Sequence, residues 1–291
     1  MDREQTRAGT GELAPLPLTH GGRAGSAWLS GWLWLERAWR DFLYLVMPGE
    51  CVVCGREDQS LCPACSAVLR RQTARPFRAE RSADALVGVS GEPHLLVVAG
   101  GEYRDALAAT ILGFKNHGRT DLSAPLCRVL ARALEHAVAG LAGPAPGGRR
   151  RSKTLWLVPI PSTGSGWRRR GYDPVALILR ALRREGRLPQ GVVVARMMGI
   201  KARPPWHRQH QKGLGRADRR SNVRNTMKVK HVWGRQFRLL ANPNAPIVLL
   251  LDDVLTTGST LREAAKTLEK SGFVVCGAVV LAATRAPEGD G

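Results

Sequence analysis

The sequence predicts an α/β fold: a parallel sheet flanked by helices, preceded by a small cysteine-rich module. Apolar runs alternate with segments of helical periodicity over residues 103–282, the pattern of a sheet whose strands are joined by crossover helices. Four cysteines lie within residues 51–65. Hydrophobic residues make up 44% of the 291-residue chain, which is enough for one sizeable core and a small appendage.

Each predicted element has its own signal. The predicted strands are short runs of β-branched and aliphatic residues, at 155–160, 192–196, 247–251 and 274–282. The predicted helices have apolar residues at helical spacing, at 103–115, 123–138, 175–184 and 261–270. A Gly-, Pro- and Arg-rich linker at 140–152 is expected to form a surface loop. Residues 85–285 are therefore predicted to form the α/β domain.

The first 48 residues are predicted to lie outside that domain. Residues 1–26 contain no apolar core and no evident signal peptide, and we expect a disordered lead. Residues 27–48 are predicted to form an amphipathic helix, with one apolar stripe formed by Trp28, Trp32, Leu35, Trp39, Phe42 and Val46. Charged residues within this stretch argue against a transmembrane segment. Packing on the protein's own body, peripheral membrane contact and binding to a partner helix remain the alternatives.

The charge is strongly positive. Lys and Arg total 44 against 24 Asp and Glu, which gives a formal net charge of +20. This balance favours polyanionic partners, either phosphorylated substrates or nucleic acid, although a generally basic surface is the alternative. Residues 203–238 carry eleven Lys and Arg and one acid, Asp218. This run is either a solvated basic face or a set of guanidinium groups that close over a pyrophosphate.

The cysteine-rich module, residues 49–70, predicts a structural Zn²⁺ site. Two Cys-x-x-Cys pairs, separated by seven residues, provide the candidate ligands Cys51, Cys54, Cys62 and Cys65. Four thiolates at this spacing suit tetrahedral zinc and leave no open coordination position for catalysis. Disulfides are the alternative but are disfavoured without a secretory signal, and a redox role would need only one pair. Cys127 and Cys276 are expected to be core residues.

The most informative segment follows the apolar strand at 247–251. Asp252 and Asp253 come next, and then a turn of small residues, Thr256, Thr257, Gly258, Ser259 and Thr260. Thr260 and Glu263 are expected to form a capping box at the start of the next helix, which Gly272 ends. Backbone N–H groups of such a turn suit a phosphate, and the two carboxylates suit the vicinal hydroxyls of a ribose 5-phosphate. A nucleotide P-loop is a poorer match because its Gly-x-x-x-x-Gly-Lys-Ser/Thr pattern does not occur.

The apolar strand, Asp-Asp and Val-x-Thr-Thr-Gly-x-Thr pattern resembles the phosphoribosyl-pyrophosphate loop of the type I phosphoribosyltransferases. Further motifs are similar to the ComF (competence protein F) branch of that superfamily, over most of residues 42–285. They comprise the four cysteines, a helix between Tyr103 and Lys115, the turn Val158-Pro159-Ile160-Pro161, the Arg170-Gly171-Tyr172 segment, and Gln211, Leu214, Arg219 and Asn222. Asp173-Pro174 and the long linker depart from the family pattern, and both are expected to affect acceptor recognition.

The resemblance implies binding of phosphoribosyl pyrophosphate (PRPP) with Mg²⁺ and transfer of phosphoribosyl to an unidentified acceptor. Asp252 and Asp253 are expected to hold the ribose hydroxyls, and residues 256–260 the 5-phosphate. The candidates for contact with pyrophosphate are Lys115, Ser162, Thr163, Arg170, Gln211, Arg219 and Arg220. No catalytic base is assigned because the acceptor is unknown.

The resemblance also implies a cytoplasmic protein with a role in DNA uptake, with single-stranded DNA or the uptake machinery as partners. A non-catalytic protein that senses PRPP or handles single-stranded DNA is the second function class. In that class the zinc module, the Trp-bearing N-terminal helix and residues 203–238 would carry the binding, with aromatic residues such as Trp206 and Trp233 suited to single strands.

Overall fold

The computed structural model describes residues 49–88, 90–141, 154–162, 171–201, 226–230 and 246–284. Apart from Gly49, these residues belong to one compact unit, Glu50–Gly291. The predicted lead at 1–26, the predicted helix at 27–48 and all but the first two residues of the predicted linker lie outside the described residues.

Five α-helices lie in the described part of the chain. In chain order they are α1 (Pro63–Gln72), α2 (Asp105–Asn116), α3 (Ser123–Leu141), α4 (Pro174–Arg184) and α5 (Ser259–Glu269). The four helices predicted from periodicity are therefore present, and α3 extends into the start of the predicted linker. Helix α1 begins inside the cysteine module, where Cys62 is the N-cap and Pro63 occupies the first turn. Proline is favoured there because its missing N–H needs no partner.

The described strands are β1 (Phe77–Arg78), β2 (Val97–Ala99), β3 (Leu155–Pro159), β4 (Val192–Val194), β5 (Met198–Ile200), β6 (Met227–Val229), β7 (Ile247–Leu255) and β8 (Val274–Ala283). Six of them form one sheet in the order β1-β2-β8-β7-β3-β4, and β5 and β6 form a separate two-stranded sheet. Within the large sheet only β1 runs antiparallel to its neighbour. The predicted α/β fold with a mostly parallel sheet is confirmed.

The central strand β7 is buried on both faces of the sheet. Leu249 and Leu251 pack into a cluster with helices α2, α3 and α4, whereas Val248 and Leu250 pack into a second cluster with α5 and the β5–β6 pair. Strands covered on both faces are expected to be continuously apolar rather than alternating. The polar residues at the end of β7 therefore lie where the apolar layers give way to the carboxyl edge of the sheet.

Four strands were not predicted from the sequence. Strands β1 and β2 are two and three residues long, and β2 is fixed by parallel pairing with the distant β8. Strands β5 and β6 are three residues long, too short for a sequence reading to detect an apolar alternation. Long-range pairing decides all four.

Among the described residues, no helix has the length and apolar character needed to cross a membrane.

Candidate functional site

The two carboxylates lie within β7, rather than after it as the sequence indicated. The strand continues to Leu255, and Asp252 is paired with Val280 of β8. The apolar run ends at Leu251, but pairing with β8 continues for four more residues because hydrogen bonds of the backbone do not depend on side-chain polarity. Both carboxylates are therefore held by a rigid strand at the carboxyl edge of the sheet.

The turn after β7 begins helix α5 in a different way from the one predicted. The helix begins at Ser259, two residues before the predicted start, and its N-cap is Gly258 with φ 75°. The prediction of a capping box from Thr260 and Glu263 is wrong, because Gly258 takes the N-cap position and no side chain caps this end of the helix. The first N–H groups of a helix have no intrahelical partner. Those of α5 are therefore suited to an anion.

A neighbouring segment fixes the shape of this turn. The backbone N–H of Ala85 donates to the carbonyl oxygen of Thr257 at 3.0 Å. A Cβ atom on Gly258 would lie 2.5 Å from Cγ of Leu86 and 3.1 Å from Cβ of Ala83. Glycine is therefore required twice at position 258, for its left-handed backbone and for the close approach of Leu86. No pattern in the sequence predicted that residues 83–86 would contact this turn.

An ion pair closes one side of the carboxylate pair. Nζ of Lys115 lies 2.6 Å from Oδ2 of Asp253, and both side chains are partly buried. Oδ1 of Asp253 accepts the N–H of Val254, and Oδ1 of Asp252 accepts the N–H of Asp253. Burial, together with the charge of Asp253, raises the pKa of Asp252 to about 7, against the opposing effect of Lys115. Lys115 therefore supplies a counter-charge to the carboxylate pair.

The end of β3 and the turn before α4 lie beside this pair. Strands β3 and β7 pair up to Pro159 and Leu251, and Ile160 donates to the carbonyl of Leu251. The Ser162 hydroxyl donates to the carboxylate of Asp173 at 3.4 Å. Ser162 is thus placed at the same edge of the sheet as Asp252 and Asp253.

Tyr172 connects this turn to the helix that carries Lys115. Its hydroxyl donates to the carbonyl oxygen of Phe114, and the two rings lie 5.9 Å apart. Tyr172 was not among the candidate site residues, although the motif Arg170-Gly171-Tyr172 was the signal for it. Asp173 accepts the N–H of Ala176 as the N-cap of α4 and is followed by Pro174 in the first turn. The departure from the family pattern therefore forms a helix start; its effect on acceptor recognition stays a prediction.

The structure brings together the loop residues, both carboxylates, Lys115 and Ser162. The other candidates for pyrophosphate contact lie outside the described residues; they are Thr163, Arg170, Gln211, Arg219 and Arg220.

The four cysteines of the N-terminal module form one cluster. Their sulfur atoms all lie within 4.8 Å of one another, and those of Cys54 and Cys62 are 3.7 Å apart. A zinc ion with four bonds of about 2.3 Å requires sulfur atoms roughly 3.8 Å apart. None of the six cysteines forms a disulfide. The N–H groups of Cys62 and Cys65 point at sulfur atoms at 3.5 Å, which stabilises thiolates. The cluster is compatible with structural zinc.

The cysteine module packs directly on the helix that carries Lys115. A Cβ atom on Gly113 of α2 would lie only 2.8 Å from a methyl group of Val52. Just after α2, Arg119 donates to the carbonyl of Glu50 at 2.9 Å and to the hydroxyl of Ser60 at 2.8 Å. At the other end of α2, Gln72 donates to Asp105 at 3.1 Å. The module therefore contacts α2 near its C-terminal end, and the last residue of α1, just beyond the module, contacts its N-terminal end.

We expect Gly258→Ala to lower the free energy of unfolding by about 1–3 kcal/mol, because it adds both backbone strain and a clash with Leu86. Gly118→Ala is the matched control, since Gly118 also has a positive φ of 70° but has open space around its Cα. Urea denaturation of both variants measures the difference. Equal losses in the two would show that the contact with Leu86 is unimportant.

Asp252→Asn should stabilise the protein more at pH 8 than at pH 5. A carboxyl whose pKa is raised to about 7 in the folded state and is near 4 when unfolded loses stability as pH rises between those values. Asp252→Asn removes that loss of stability. We therefore expect its gain in the free energy of unfolding to grow by roughly 2 kcal/mol between pH 5 and pH 8. Denaturation at both pH values tests this, with Glu269→Gln, an exposed carboxylate on α5, as the control. A gain independent of pH would contradict the raised pKa.

The comparison with known proteins supports the motif analysis. No protein-family model matches the chain. The chain is similar to competence protein F of Haemophilus influenzae, with 27% identity over 243 residues that cover 80% of this chain and 90% of that protein. The similarity thus spans most of both sequences. This similarity supports the resemblance to the ComF family that the motifs indicate.

Proposed function

We propose that this protein binds PRPP with Mg²⁺ at the carboxyl edge of its sheet and transfers the phosphoribosyl group to an acceptor. The observation that carries this proposal is the pair Asp252–Asp253, held on a rigid strand beside the N-terminus of α5 and contacted by Lys115. Carboxylates that accept hydrogen bonds from hydroxyl groups, next to backbone N–H groups that donate to a phosphate, are the two requirements of a ribose 5-phosphate site. The substrate and the reaction rest on this geometry together with the family resemblance.

The residues have distinct roles in the proposed reaction. Asp252 and Asp253 accept hydrogen bonds from the ribose 2- and 3-hydroxyls, and the N–H groups and hydroxyls of residues 256–260 hold the 5-phosphate. The bond between ribose C1 and pyrophosphate breaks while a bond from C1 to the acceptor forms, and pyrophosphate leaves with the bonding electrons. Lys115 and Ser162 stabilise the negative charge on the leaving group. Fixing the sugar in this way lowers the entropic cost of the reaction.

Lys115 is proposed to change partners when the ligand binds. In the free protein it pairs with Asp253, which keeps two adjacent carboxylates from facing each other without a counter-charge. Hydroxyl groups of the sugar would replace the ammonium group on Asp253 and release Lys115 towards the pyrophosphate. Thr163, Arg170, Gln211, Arg219 and Arg220 are proposed to complete the contacts to pyrophosphate from the basic segments.

Mg²⁺ fits this site through the chemistry of its donors. The described edge offers carboxylate oxygens, and magnesium prefers oxygen ligands from one or two carboxylates, water and substrate phosphates. When bound, the ion would supply positive charge that offsets the charge of the diphosphate. Asp252 and Asp253 are the carboxylates of the described site that would face it, directly or through the ribose hydroxyls.

The biological setting is inferred from the relative. The name of the H. influenzae protein associates that protein with competence, and we infer a role in DNA uptake for this chain, in the cytoplasm, with single-stranded DNA or the uptake machinery as partner. A PRPP-sensing or DNA-handling protein without turnover is the second class, and release of pyrophosphate distinguishes it from an enzyme.

Isothermal titration with PRPP and Mg²⁺ tests the binding site. The double variant Asp252→Asn and Asp253→Asn should weaken binding by about 2–4 kcal/mol, the scale of lost hydrogen bonds to charged groups. Glu135→Gln with Glu269→Gln removes the same charge from exposed positions of α3 and α5 and should leave binding unchanged. Unchanged affinity in the Asp252 and Asp253 double variant would sink the assignment. Pyrophosphate release in a metabolite extract then separates an enzyme from a sensor.

We propose that Cys51, Cys54, Cys62 and Cys65 hold one structural Zn²⁺. The core of the module consists of three cysteines with Val53 and Leu61 packed against them, too little to be stable without a metal. Metal analysis should find about one zinc per chain. Cys51→Ser with Cys62→Ser should abolish it and lower the melting temperature, whereas Cys276→Ser, outside the cluster, should retain it. Finding no zinc together with four reactive thiols would exclude the site.

The packing of the module against α2 adds a second readout. Because α2 carries Lys115, loss of zinc should also weaken PRPP binding even where the α/β domain stays folded. Normal PRPP affinity in a folded, zinc-free protein would show that the two sites are independent.

A further inference from the structure

We propose that a groove between helix α5 and the β5–β6 pair, defined here as the α5 groove, binds a linear oligophosphate at a site separate from the PRPP loop. The groove has a volume of about 790 Å³, within the range of ligand sites. Its described lining residues are Asp84, Ala85, Lys201, Met227, Lys228, Val229, Ser259, Arg262, Glu263, Lys266, Thr267, Lys270 and Ser271. Of the PRPP candidates only Ser259 is among them, and Asp252, Asp253, Lys115 and Ser162 are not.

The charge of the groove points to an anion. Five cations line it, Lys201, Lys228, Arg262, Lys266 and Lys270, against the two acids Asp84 and Glu263. All five cations are solvent-exposed, and none of the ion pairs of the described residues involves them. Five cations against two acids on one concave surface repel each other, and a bound polyanion relieves that repulsion.

The cations are arranged in a line along the helix. Arg262, Lys266 and Lys270 follow each other at intervals of four residues, so that they lie on one face of α5 about 6 Å apart along its axis. Thr267 of the same helix also lines the groove, and so does Ser271 just beyond the helix, whose hydroxyl donates to the carbonyl of Thr267 at 2.9 Å. A row of evenly spaced donors matches a row of phosphate groups better than it matches a single phosphate or a compact anion.

The opposite wall of the groove is fixed by the core. Met198 and Met227 of the β5–β6 pair are 4% and 5% exposed and belong to the same buried cluster as Leu261 and Leu268 of α5. The base of the pair is closed by a hydrogen bond from the N–H of Lys201 to the carbonyl of Thr226 at 2.8 Å. Lys201 and Lys228 therefore line the groove from a β5–β6 pair whose methionines are packed against α5.

The lining also decides what the groove recognises. None of its described lining residues is aromatic, so it offers no surface on which a nucleobase would stack. Its apolar residues are few and small in exposed area, which disfavours an apolar ligand. The groove thus recognises the phosphates themselves, and inorganic polyphosphate satisfies it without any base.

Binding of inorganic polyphosphate to the full-length protein tests the proposal. Arg262→Gln with Lys266→Gln should weaken it at low salt by at least about tenfold, the loss of two charge-assisted contacts after screening. The matched control is Arg180→Gln with Arg184→Gln, which removes two exposed charges at the same spacing from α4 on the other face of the sheet. The control should change affinity by less than about twofold, as expected for net charge alone. Both pairs keep good helix formers at exposed positions, so both proteins should fold.

Three results would overturn the α5 groove. The first is an equal loss of affinity in the two variants, which would mean that polyphosphate senses only net charge. The second is parental affinity in the α5 variant, with polyphosphate competing fully with PRPP, which would place the anion at the loop. The third is that the variant Arg262→Gln with Lys266→Gln no longer binds single-stranded DNA but still binds polyphosphate. This would mean that the protein recognises nucleic acid through its bases. Parallel losses for polyphosphate and for DNA of equal charge would support phosphate-only recognition.

Discussion

The candidate site depends on two adjacent carboxylates at the end of a strand that is buried on both faces. Asp252 and Asp253 extend from the most buried run of the sheet, where placing negative charge is costly. The protein reduces this cost in two ways, by pairing Asp253 with Lys115 and by a raised pKa for Asp252. An ion pair of this kind contributes little to stability on its own. The pair lies at the carboxyl edge of a parallel sheet, which is where open α/β sheets bind their ligands.

The position of Lys115 makes the site dependent on parts of the chain far from the loop. Helix α2 is contacted at its N-terminal end by Gln72, the last residue of α1, and near its C-terminal end by Val52 of the cysteine module, which Arg119 also contacts at Glu50. Tyr172 contacts the same helix at Phe114, one residue before Lys115. These contacts come from α1, from the module and from the turn before α4. The cysteine cluster, for which we propose structural zinc, thereby supports the helix that carries the ammonium group of Lys115.

The two phosphate sites that we propose would offer different kinds of surface. At the loop, binding depends on N–H groups at a helix N-terminus, which carry partial charges and fix geometry. In the α5 groove the donors are whole charges on long, exposed side chains, which favour a flexible polyanion and are sensitive to salt. Ser259 lies at the junction of the two, at the first residue of α5. The net charge of the chain is thus only partly a property of its substrate site.

The fold class, the cysteine cluster and the loop could be predicted from the sequence, because each depends on a local pattern of residues. Apolar runs give buried strands, the spacing of two Cys-x-x-Cys pairs gives the cluster, and Asp-Asp followed by a small-residue turn gives the loop. Features that depend on contacts between residues far apart in the chain became apparent only in the folded structure. Pairing with β8 extended β7 past its carboxylates, and the approach of Leu86 made Gly258 the helix cap in place of Thr260. Packing of α2 brought Lys115 to Asp253 and Tyr172 to Phe114. Such contacts join residues far apart in the chain, and no local pattern encodes which of them meet.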